Sequence, residues 1–195
     1  MKIRLQICAL GIVFLSGIWA SEATLLTADH EGKETFTGTI VGIGGELGGV
    51  TRPFTLTIKG QTSDEEAARL IDVLKSGGQE ALLRAIHKED LGQFAVEGNV
   101  GRKINAVREH RTEHGRKITL VFERWLRMFE LRYGTRSEDY PFSYAELYID
   151  DDGKGEGSII PAARIYFDKK EQNTVAIENF GIYPARLANV RLATR

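Results

Sequence analysis

The feature that most constrains this chain is a recurrence of short runs in which apolar and polar residues alternate, separated by turn residues at hairpin intervals. A period of two sends successive side chains to opposite faces of an extended chain, so each run reads as a strand. In the first, Phe36, Gly38 and Ile40 share one side and Thr35, Thr37, Thr39 and Val41 the other. The second opposes Phe54, Leu56 and Ile58 to Thr55, Thr57 and Lys59. Seven more follow at about 92–97, 101–111, 116–125, 142–150, 156–167, 173–180 and 184–192. Gly98-Asn99, His114-Gly115, Asp150-Asp151-Asp152-Gly153, Asp168-Lys169-Lys170 and Gly181 supply the turns. Strands so connected predict a mainly β (α+β) chain. Its antiparallel sheet closes into a barrel, because closure removes exposed edges; a two-sheet β-sandwich is the alternative.

After the first hairpin the period changes. Thr62-Ser63-Asp64-Glu65-Glu66 has the S-x-x-E form, in which Ser63 caps the first free amides and Glu66 reaches back. Ala67, Leu70, Ile71 and Leu74 then recur at spacings of three and four, and Gly77-Gly78 supplies a left-handed stop. Gln79 to His87 reads as a second short helix with Leu82, Leu83 and Ile86 inward. The expected architecture is a barrel, lipocalin- or calycin-like in outline, with a two-helix insertion at 63–88 in a single β-rich domain spanning 34–193.

Lys2 and Arg4 precede an apolar run from Ile7 to Leu15, with small residues following at Ala20 and Ala23. This predicts a signal peptide over 1–20, cleaved after Ala20 or after Ala23, and an exported protein, periplasmic or secreted. The apolar core is shorter than the roughly 20 residues of a membrane span, so no span is expected in the mature form. Cys8, the only cysteine, lies inside this leader, which leaves the mature chain without thiol chemistry. The full chain has 26 basic and 27 acidic residues, too balanced to gather nucleic acid by charge. Arg102, Arg108, His110, Lys103, Glu109 and Arg111 put charge on both faces of one strand, which argues against a lipid-facing barrel.

Familiar motifs break down at their defining positions. Gly44 and Gly49 have the offset of a phosphate loop, but Val50 stands where its lysine belongs, so Gly42 to Gly49 reads as a hairpin turn. His110 and His114 would lie about 13 Å apart on an extended strand, too far for one metal ion without a bend. The run Asp150-Asp151-Asp152-Gly153 resembles a calcium loop, but Lys154 and Pro161 occupy ligand positions. No nucleophile elbow or zinc-protease motif is present, and no cofactor, metal or catalytic residue is expected.

A polar face late in the chain carries the functional reading. Tyr144, Glu146 and Tyr148 share one side of their strand with Phe142, opposite Ala145, Leu147 and Ile149. Arg164 and Tyr166 oppose Ile165 and Phe167, and Glu178 lies on the next strand. In a suitable register Glu146, Arg164 and Glu178 form a charge ladder framed by tyrosines. That ladder is either a solvated outer face, where such pairs contribute about 0–1 kcal/mol each, or the wall of a barrel lumen holding a ligand.

Thr62 to Glu66, Gly77-Gly78-Gln79, Gly101-Arg102, Tyr140-Pro141-Phe142 through Gly157, Glu178 to Pro184 and Asn189-Val190 can be taken as a set. Together they resemble a group of exported bacterial proteins of unknown function, over about 36–192. The resemblance implies export and one shared domain, and brings no activity or site residue with it. Three functions follow as expectations. The first is a non-enzymatic barrel binding a small amphipathic ligand in its mouth through Tyr144, Glu146, Tyr148, Arg164, Tyr166 and Glu178. The second is an envelope protein–protein interaction module using an exposed sheet face or the Trp125, Met128 and Phe129 patch. The third is a hydrolase or isomerase with a carboxylate–tyrosine site.

Overall fold

The computed structural model describes residues 32–42, 49, 51–97, 100–124, 139–168, 174–180 and 184–194. The leader, His30, the turn residues 43–48, Gly98-Asn99, the Trp125–Met128–Phe129 patch and residues 181–183 lie outside the described residues.

The strands are β1 (Glu34–Val41), β2 (Thr51–Ile58), β3 (Gly92–Val96), β4 (Arg102–Ile104), β5 (Ala106–Thr112), β6 (Gly115–Glu123), β7 (Phe142–Asp150), β8 (Lys154–Asp168), β9 (Thr174–Asn179) and β10 (Ala185–Thr194). One helix, α1 (Asp64–Ile86), lies between β2 and β3. All pairings are antiparallel, in the order β4-β3-β2-β1-β10-β8-β7-β6-β5, with β9 on the far half of β8. The sheet curls into a nearly closed barrel, as the alternation predicts.

Its interior is filled by the apolar side of each alternating strand. Phe36, Leu56, Ile104, Ile118, Leu120, Ala145, Leu147 and Leu187 are fully buried there, and Phe94 stacks between Phe54 and Phe122. Each large side chain so enclosed contributes about 1.5–3 kcal/mol relative to exposure. Gly115 ends the β5–β6 turn at φ 138°, and a Cβ there would lie 2.1 Å from the Ile149 carbonyl oxygen; glycine alone lets β6 approach β7 at this point.

The run at 101–111 is not one strand but two, broken at Asn105, where the barrel turns its corner. Buried Asn105 donates from its backbone to the Val121 carbonyl (3.0 Å) and from Nδ2 to the Glu89 carbonyl (3.0 Å). Its Oδ1 accepts from the Glu123 amide at 2.9 Å. These bonds hold the β4 end beside β6. The edge of β5 is met by Thr62, whose amide donates to the Val107 carbonyl (2.8 Å) while its hydroxyl accepts from the Val107 amide (3.0 Å). Side chains thus stitch a seam that no ladder closes.

α1 covers part of the outer face. Ser63 caps it, accepting from the Glu66 amide at 3.1 Å, but the Glu66 carboxylate turns to Arg69 (2.6 and 2.7 Å) instead of reaching back, so only half of the capping box forms. The expected pair of helices forms: within α1 two helical segments meet at Gly78, whose φ of 68° and ψ of −167° are non-helical and supply the left-handed stop. Leu70, Leu74, Leu82 and Ile86 pack on Phe142, Tyr144, Ile160, Ala163 and Ile165 to form a second, outer core. Ile71, expected on this face, is exposed.

Candidate functional site

The site is set by which way β7 faces. Ala145, Leu147 and Ile149 point into the barrel, so Tyr144, Glu146 and Tyr148 point outward. Register then decides their company. Thr119 of β6 and Ser158 of β8 flank Glu146, while Lys117 and Glu156 flank Tyr148. On β10, Arg186 is opposite Ser158.

Glu146 is only 6% exposed, and its carboxylate accepts from three donors. Lys117 Nζ lies 2.7 Å from Oε1, the Tyr144 hydroxyl donates to the same oxygen, and the Tyr148 hydroxyl donates to Oε2 at 3.3 Å. Unpaired, such a buried carboxylate would cost several kcal/mol; here the three donors are pre-positioned by a single strand and its neighbour. Lys117 also sits 5.5 Å from the centre of the Tyr148 ring.

Burial acts on the cluster in opposite directions. It raises the pKa of the Tyr144 hydroxyl, aided by the bond to Glu146 and that carboxylate's charge, so the phenol stays protonated well beyond the ordinary range. For Lys117 burial alone would lower the pKa, but the hydrogen bond to Glu146 and its negative charge outweigh it and the ammonium is held charged above the usual 10.5. Tyr144 lies under α1, whereas Tyr148, 49% exposed, is the only exposed aromatic side chain among the described residues. Next to it, Arg186 of β10 pairs with Glu156 of β8, both largely exposed.

The six residues expected from sequence therefore separate into two groups. Arg164 and Glu178 are register partners on β8 and β9, as the ladder requires, but Glu146 is opposite Ser158, six residues back along β8. A register shift lies between Phe142 and Tyr144 of β7 in its pairing with β8. Glu178 accepts from the Tyr140 hydroxyl (3.0 Å), and Arg164 lies 5.9 Å from the ring centre of its neighbour Tyr166. The continuous charge ladder is replaced by a Tyr144–Glu146–Tyr148 cluster on the barrel wall and an Arg164–Tyr166–Glu178 cluster on the β8–β9 arm. Lys117, Thr119, Glu156 and Arg186, which complete the first cluster, carried no signal in the sequence beyond strand alternation.

A second charged cluster faces inward. Arg116, at the start of β6, is buried with its guanidinium on Glu34 (3.0 Å) and Glu109 (2.9 Å) and lies over the Phe36 ring. Gln61 donates to Glu109 at 3.2 Å. This network ties β1, β5 and β6 together at one end of the barrel.

The other sequence motifs are structural. His114 is in the β5–β6 turn with its side chain open to solvent, and His110 is opposite Lys117. Asp150 closes its own turn, its side chain accepting from the Lys154 amide at 2.8 Å. Among the described residues no group of three or more His, Cys, Asp or Glu is placed to hold a metal ion, and no helix is long and apolar enough to cross a membrane. No protein-family model matches the chain, and no curated protein or solved structure shows significant similarity to it.

Proposed function

We propose that this is an exported, non-catalytic binding protein that holds a small amphipathic ligand on the outer face of its barrel, around Tyr148, Lys117 and Glu146. The observation that carries the reading is the exposed Tyr148 ring standing on an ordered network, Lys117 and Glu146, whose bonds are already made. A ring held in this way loses little freedom on contact with a ligand, so more of the contact energy survives as affinity. The filled interior supports a site outside the lumen. The export half of the proposal rests on the predicted leader.

A hydrolase or isomerase finds less support. Glu146 is engaged by three donors and Tyr144 is covered by α1, so neither presents a free base or acid to solvent. Native mass spectrometry of the protein purified from its own host tests the binding reading. The expected result is a retained small molecule that is lost in Tyr148→Ala; a wild-type protein that retains none, from purification or from an envelope extract, contradicts it.

A further inference from the structure

The charges around Tyr148 cancel in pairs. Lys117 is matched by Glu146 and Arg186 by Glu156, so the shelf offers no net charge to an ionic ligand. An anion would have to displace Glu146 or Glu156 from its cation, and a cation would have to displace Lys117 or Arg186. Hydrogen-bonding capacity nevertheless remains, because an ammonium has three donors, a guanidinium five, and each carboxylate about four acceptor sites. The row Lys117–Tyr148–Glu156 crosses three adjacent strands and spans about 10 Å. It therefore combines a flat apolar ring with donors and acceptors on both sides of it.

Resting on the binding reading above, we infer that the ligand is a neutral saccharide. A pyranose has a face of axial C–H bonds that fits an aromatic ring and a rim of hydroxyls, each able to donate and accept. Stacked on Tyr148, its rim reaches Lys117 on one side and Glu156 and Arg186 on the other. Paired charges suit this ligand, since hydroxyls need polar partners but no counter-charge. The row matches the length of a disaccharide.

The test is titration of the full chain with an array of neutral oligosaccharides, including cellotetraose, maltotetraose and tri-N-acetylchitotriose, with trigalacturonate as the anionic comparison. Calorimetry and saturation-transfer NMR supply the readout. At least one neutral oligosaccharide is expected to bind, with saturation concentrated on the axial protons of one sugar face. Tyr148→Ala is expected to weaken binding by about tenfold or more, and Tyr148→Phe, which keeps the ring, to stay within about twofold of wild type. Both variants remove the Tyr148 donor from Glu146, which keeps Lys117 and Tyr144, so both should fold with the same small fall in melting temperature. Absence of saccharide binding, binding that Tyr148→Ala leaves intact, or preference for trigalacturonate overturns the inference. If the host-purified protein retains a Tyr148-dependent molecule that is not a sugar, the saccharide inference fails and the binding reading stands. If it retains nothing and no sugar binds, both fail.

Discussion

Arg116 and Lys117 are consecutive residues of β6, each paired with carboxylate, on opposite sides of one sheet. Arg116 points into the barrel and bridges Glu34 and Glu109 across strands that are not neighbours of each other, whereas Lys117 points outward and meets Glu146 on the adjacent strand. The inner network fastens the fold, since its partners lie 82 residues apart along the chain. The outer network is local and half open to solvent through Tyr148, the face on which we propose that the ligand sits. The same chemistry thus faces the barrel interior on one side of the sheet and solvent, through Tyr148, on the other.

Arg116→Ala should separate the two most sharply. It leaves two carboxylates inside the barrel end and is expected to cost about 3–5 kcal/mol in urea unfolding, while Lys117→Ala, whose carboxylate loses its cation but keeps both tyrosine donors, costs about 1.5–3 kcal/mol. Equal losses would erase the distinction. The apolar cores repeat the contrast at smaller scale. Leu147→Ala in the barrel interior is expected to cost about 4 kcal/mol, against about 2 kcal/mol for Leu82→Ala beneath α1, where the helix can settle into the space.

Alkaline titration probes the outer network through Tyr144 and Lys117. The pKa values of Tyr144 and Lys117 are raised in the folded state above their ordinary 10.0 and 10.5. Groups raised on folding contribute stability that is complete below the unfolded pKa and is lost as pH rises toward and through the folded one. Tyr144 and Lys117 should therefore lose their contribution above about pH 10, against an opposing gain from Arg102, whose pKa burial lowers to about 10, and Tyr144→Phe should remove its share of that loss in denaturant midpoints measured from about pH 8 to pH 11. The smallest effect belongs to the helix start: Ser63→Ala removes the bond to the Glu66 amide and costs roughly 1 kcal/mol.

Alternation made most of the barrel legible. Phe36, Leu56, Ile118 and Leu147 alternate with polar neighbours, and each occupies the interior as its period requires. The corner at Asn105 was not legible, because Ile104-Asn105-Ala106 sustains an alternating pattern. Only bonds to Glu89, Val121 and Glu123, distant in sequence, show that the strand ends there. Closure by Thr62 was hidden for the same reason, being a contact between residues 45 apart. At the site, alternation grouped Tyr144, Glu146 and Tyr148 correctly but could not set the register between strands. Alternation alone therefore allows a ladder of Arg164 with Glu146, whereas the strand register gives Glu146 to Lys117. Charged residues on a strand say that a face is polar; which charge meets which depends on bulges and pairings that no local pattern records.

Thiol labelling along β7 tests the two-faced wall most directly. In a Cys8→Ser background, Tyr148→Cys should react with a water-soluble maleimide at the rate of an exposed thiol. Ala145→Cys, a near-isosteric change on the interior face, should stay protected until the protein is unfolded. A reactive Ala145→Cys beside a protected Tyr148→Cys, or equal reaction at both, would contradict an apolar interior and an outward polar face.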